Sequence, residues 1–150
     1  MSASPESRLQ AALTREIPLS SAIGISVLSW DGRKVRLGAP LAPNVNHQAT
    51  VFGGSLSAAA TLAGWSALWL LLDGHGLAHQ VVIQDAEIRY RHAVTGDFVV
   101  ECTLPEASVV DGFLLTLHQR GRARMALVAT VSSGGRELVT FRGRYVALQS

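Results

Sequence analysis

The residues best suited to chemistry fall in one short stretch, Asn46 followed by Phe52-Gly53-Gly54-Ser55, and a long uncharged apolar run comes directly after it. If that run is a helix, its first N–H groups have no intrahelical acceptor, and the helix dipole adds partial positive charge there. Two successive glycines would let a carbonyl approach those amides closely. Such a site can hold a carbonyl oxygen as it becomes an oxyanion, where one well-placed donor is worth roughly 2.7–4 kcal/mol. The plainer reading is that Gly53-Gly54 allows tight helix–strand packing. Asn46 could position a water or a carbonyl with its amide, or it could close an Asx-turn.

Other candidates are weaker by type or context. His47 stands beside Asn46, and a loop histidine can equally be solvated. Asp85 follows Val81-Val82-Ile83-Gln84, which predicts partial burial and a raised pKa useful to a base; pairing with Arg89 is the alternative. Arg89, Arg91 and His92 end one predicted strand, and Arg120, Arg122 and Arg124 surround Gly121. These could anchor phosphates by charge-assisted hydrogen bonds, or form a solvated basic face. Ser55 lies in Gly53-Gly54-Ser55-Leu56-Ser57, which misses the nucleophile elbow at its last residue. It reads as a first-turn hydroxyl. The five histidines and one cysteine show no ligand spacing, so no metal site is expected.

The elements that must carry these residues follow from periodicity. From Gln48 to Leu72 there is no charge. Leu56, Ala60, Ala63, Ala67 and Leu70 form one stripe, and Leu62, Trp65, Trp69 and Leu72 another. A helix apolar nearly all round must be buried nearly all round, by a bilayer or by a sheet wrapped about it. The remainder favours the sheet, because it reads as amphipathic strands that need a helix to cover them. Strands are predicted at 23–28, 35–39, 81–91, 98–104, 113–117, 125–131 and 139–145. Ser4-Pro5-Glu6 starts a short helix that Pro18 ends. Residues 1–20 are therefore an N-terminal helical segment and 21–150 a single α+β domain. The strand edges suggest a homodimer, with a tetramer as the alternative.

Composition narrows the class. With 48% apolar and 16% charged residues the chain is globular. A net charge of +2, with no aromatics interleaving the arginines, argues against a nucleic-acid partner. Twelve Arg against one Lys is read first as base composition. The single Cys102 and the polar start from Met1 to Arg8 predict a cytoplasmic protein without membrane insertion.

The stretches Pro43-Asn44-Val45-Asn46, Phe52-Gly53-Gly54-Ser55, Leu62-Ala63-Gly64-Trp65 and Ile88-Arg89-Tyr90 resemble the hotdog-fold thioesterase superfamily. They are most similar to the thioesterase family typified by the YiiD C-terminal domain, from about Pro18 to Leu148. The resemblance implies an antiparallel sheet wrapped around one long central helix. It also implies a thioesterase acting on acyl-CoA or acyl carrier protein, with no cofactor beyond the substrate's own coenzyme A or phosphopantetheine. Taken with the residue readings above, it leaves Asn46, Gly53, Gly54, Ser55, Thr61 and Asp85 as the catalytic candidates. The substrate-binding candidates are His47, Phe52, Trp65, Arg89, Arg91, His92, Arg122 and Arg124. Many hotdog thioesterases carry an acid on the central helix seven residues after the second glycine, where this chain has Thr61. Asp73 cannot replace it, lying about 28 Å along the helix from Gly54 at 1.5 Å per residue. The missing acid leaves a second reading open: a non-hydrolytic acyl-thioester binder or a carbon-chain enzyme on the same scaffold.

Overall fold

The computed structural model describes residues 3–150; the first two residues of the polar start lie outside the described residues. Six strands form one antiparallel sheet in the order β1-β2-β4-β5-β6-β3. These are β1 (Ser26–Trp30), β2 (Lys34–Ala39), β3 (His79–Tyr90), β4 (Phe98–Thr103), β5 (Arg122–Ser133) and β6 (Arg136–Gln149). The sheet wraps the central helix α3 (Gly53–Gly74), which contacts β2 through β6. This helix is long and apolar enough to cross a bilayer. Here strands take the place of lipid, and Ala59, Ala60, Ala63, Ala67 and Leu68 are fully enclosed.

Helix α1 (Pro5–Glu16) starts as expected, with the Ser4 hydroxyl accepting the Ser7 N–H and Pro5 at the first turn. Its Leu9 and Leu13 belong to the same core as α3. The side chain of Gln10 does something the sequence did not disclose. It donates to the Ile25 carbonyl and accepts the Val27 N–H, so it covers the outer edge of β1. The opposite edge, β3, has no such cover among the described residues, and residues 82–87 are exposed in succession.

Three expectations are corrected. The stretch 113–117 is not a strand but part of helix α4 (Ala107–Arg120). Phe113 and Leu117 are buried and Val110 and Leu114 half-buried, a three-to-four spacing. Leu115, which an alternating strand would bury, is 56% exposed. Gly121 is the left-handed stop of that helix at φ 73°. Residues 19–23 form a short helix, α2 (Leu19–Ile23), so β1 begins only at Ser26. Finally, the short connections after α3 predict mostly antiparallel meanders, but β3 crosses to the far side of β6 and β4 pairs with β2.

Candidate active site

The amino end of α3 is built by its approach loop. Asn44 is buried, and its Nδ2 donates to the Ile23 and Pro40 carbonyls at 2.9 and 2.8 Å. Its own carbonyl accepts the Phe52 N–H at 2.7 Å. This fixes where the helix begins, a role the sequence reading missed; a lone Asn in a loop carries no sign of burial. Val45 and Val51 then bridge, which closes residues 46–50 into a small loop.

Asn46 holds that loop together. Its Nδ2 donates to the Thr50 hydroxyl at 2.9 Å, and its Oδ1 accepts the Gln48 and Thr50 N–H groups. Both faces of the amide oxygen are therefore used, and one Nδ2 hydrogen remains uncommitted. His47 is exposed beside it.

At the helix start, Ser55 and Leu56 N–H both donate to the Phe52 carbonyl. The Gly53 and Gly54 N–H groups have no acceptor among the described residues, and no side chain caps the helix. Neither glycine has positive φ. A Cβ at Gly53 would meet the Tyr90 ring at 3.5 Å, an ordinary contact. At Gly54 its three nearest neighbours would all be atoms of the Phe52 ring, a clash that this 58% exposed side chain must turn aside to relieve. Packing therefore does not demand glycine at position 53, and at position 54 a side chain needs the Phe52 ring to move. The two rings do stand over the glycines, which corrects the expectation of an uncovered approach. Beside them lies a cleft of about 310 Å³ whose lining includes Gly53, Tyr90, Arg91 and His92. The Arg136 guanidinium lies 3.0 Å from His92 Nε2. Arginine only donates, so Nε2 is the acceptor.

A second feature runs along α3. An apolar groove of about 630 Å³ is lined by Ala58, Thr61, Leu62, Trp65 and Trp69 of α3, by residues 79–83 of β3, and by Glu16, Ile17 and Leu19 from the N-terminal helices, Glu16 being its one carboxylate among the described residues. The Thr61 hydroxyl donates to the Ser57 carbonyl, and Trp65 Nε1 donates to the Val81 carbonyl. Tyr145 Oη donates to the Thr61 carbonyl at 2.7 Å, and burial raises the phenol's pKa. Tyr145 is therefore a structural donor and not a base.

Asp85 does not join either feature. Strict alternation from Val81 and Ile83 would turn it toward α3. A bulge between Ile83 and Asp85 inserts one residue, so Asp85 pairs with Arg144 on the outer sheet face. It is exposed, and the Arg144 guanidinium lowers its pKa. The expected raised pKa and the Arg89 partner are both corrected. Arg89, Arg122 and Arg124 lie on the same outer face by register, away from the cleft that Arg91 and His92 line.

Comparison with known proteins agrees with this geometry. A family model described as "Putative thioesterase (yiiD_Cterm)" matches residues 6–149. A protein of unknown function from Chlorobaculum tepidum TLS is 28% identical with TM-score 0.91, over 97% of this chain and 94% of that one. A protein from Shewanella oneidensis, described as a putative thioesterase, is 31% identical with TM-score 0.86, over 96% and 97%. A Pseudomonas aeruginosa protein described as a probable thioesterase shares the fold at TM-score 0.80 and 23% identity, over 96% of both chains. With its helix wrapped in an antiparallel sheet and nearly its whole length matched, this chain belongs to the YiiD C-terminal family, described as "Putative thioesterase", and has the hotdog fold.

Proposed function

We propose that the protein hydrolyses an acyl thioester of coenzyme A or of acyl carrier protein. The observation that carries this is the pair of unpartnered amides at Gly53 and Gly54, beside a first turn that no side chain caps. Water adds to the thioester carbonyl, forming a C–O bond. The oxygen that gains the electron pair is held by the two N–H groups at the positive end of α3. Collapse breaks the C–S bond, and the thiol leaves with a proton that the water supplied. The uncommitted Nδ2 hydrogen of Asn46 is a ready donor to the water or the carbonyl. The apolar groove along Trp65 and Trp69 suits an acyl tail, while Arg91 and His92 suit phosphate or pantetheine oxygens. The reaction calls on no cofactor other than the substrate's own carrier.

A second copy of the chain completes the assembly in this proposal. The bare β3 edge with Val82 and Ile83 exposed supports it, since the β1 edge is covered by Gln10. A non-hydrolytic acyl binder is the second reading, favoured by one fact: α3 carries Thr61 and no acid facing the groove. Thiol release from a panel of acyl-CoAs and acyl carrier proteins separates the two. Hydrolysis by the wild type, with kcat reduced on Asn46→Ala, is expected. Binding without thiol release across the panel would establish the second reading instead.

A further inference from the structure

We propose that Tyr90 is a positioning residue for the oxyanion donor, orienting and polarising the Gly53–Gly54 peptide through the Gly53 carbonyl. This rests on the thioesterase reading above. The Tyr90 hydroxyl donates to the Gly53 carbonyl at 3.1 Å, and its ring lies against Gly53. That carbonyl and the Gly54 N–H are the two ends of one planar peptide. Fixing the oxygen therefore fixes the direction of the N–H. A hydrogen bond at the oxygen also draws electron density from the nitrogen, which makes the N–H a stronger donor. The helix already engages this oxygen as an acceptor of its first turn, and the Tyr90 hydroxyl adds a second donor from outside the helix.

The sheet is shaped to deliver Tyr90 to this place. Ile83 faces α3, so ordinary alternation would send residue 90 to the outer face. The bulge before Asp85 reverses the parity, and Ala86, Ile88 and Tyr90 turn inward. One irregularity thus removes Asp85 from the helix side and places Tyr90 on it.

Tyr90→Phe removes the hydroxyl and keeps the ring. A neighbouring bond strengthens a donor by roughly 10–30%, and a whole oxyanion donor is worth about 10²–10³ in kcat. The expected loss in kcat is therefore about two- to tenfold, with KM within about twofold and an unchanged melting temperature. A second readout does not depend on turnover. The chain has two Gly-Gly pairs, Gly53-Gly54 and Gly134-Gly135. A sample labelled with ¹³C-carbonyl glycine and ¹⁵N glycine gives an HNCO spectrum with one signal from each pair. In Tyr90→Phe the Gly54 signal should move while Gly135, in the β5–β6 turn, stays. An unmoved Gly54 signal, or a moved one with wild-type kcat, would overturn the inference while leaving hydrolysis standing. Wild-type protein that releases no thiol from any substrate would instead sink the thioesterase reading, and this inference with it.

Discussion

At the residue scale the amino end of α3 is decided by what is left unpaired. Asn44 and Asn46 spend their amides on loop carbonyls, hydroxyls and N–H groups, while the N–H groups of Gly53 and Gly54 spend nothing. The glycines and Asn46 could be read from type and spacing, because the chemistry needs those residue types at a helix start. Asp85 could not be read correctly. Its orientation turns on one inserted residue in β3: the apolar parity changes between Ile83 and Ile88, but Gln84-Asp85-Ala86-Glu87 between them do not say on which side of Asp85 the change falls. The pH behaviour follows. Arg144 holds the Asp85 carboxyl below its ordinary 3.8. A carboxyl lowered on folding contributes stability above its unfolded pKa and loses it as pH falls through the folded value. For so exposed a pair that contribution is small. Between about pH 5 and pH 9 Asp85 stays ionised in either state, so it cannot cause a rate change in that window. Asp85→Asn should leave kcat within about twofold, and the pH–rate profile should keep its midpoint. A shifted midpoint would return Asp85 to the mechanism.

At the element scale the central helix was the most legible part of the chain, since an uncharged, Ala- and Leu-rich run leaves little else to form. Helix α4 was the least legible. Phe113, Leu115 and Leu117 satisfy a two-residue period as well as Phe113, Leu114 and Leu117 satisfy a helical one, and burial chose the latter. Contacts between elements were invisible in the sequence. Gly64 is the clearest case: a methyl there would land on the Tyr145 hydroxyl, so glycine is what lets β6 close on the middle of α3. Gly64→Ala should therefore destabilise the fold by about 1–3 kcal/mol, the usual cost of overpacking. Adding Tyr145→Phe should not recover that loss, because the methyl also meets the ring carbons Cζ and Cε1, which remain. Denaturant unfolding checks both. An unchanged midpoint for Gly64→Ala would mean that the helix and strand pack less closely here than described.

At the scale of the whole molecule, one sheet edge is covered and the other is open. Gln10 occupies the β1 edge, whereas β3 offers bare backbone, with Val82 and Ile83 beside an apolar groove. Light scattering after gel filtration should give twice the 15.9 kDa chain mass. Ile83→Lys should shift the population toward monomer, because a charge on an open edge opposes strand pairing. A monomeric wild type would refute the proposed second copy. The central claim, that the α3 amides do the chemistry, is tested most directly by comparing Gly54→Pro with Gly54→Ala in thiol release from acyl-CoAs. Both add bulk at the Phe52 ring, but only proline deletes the N–H, and proline is tolerated in a first helical turn. The account predicts kcat for the proline variant about 10²–10³ below that of the alanine variant, with similar melting temperatures. Equal rates from the two variants would contradict it.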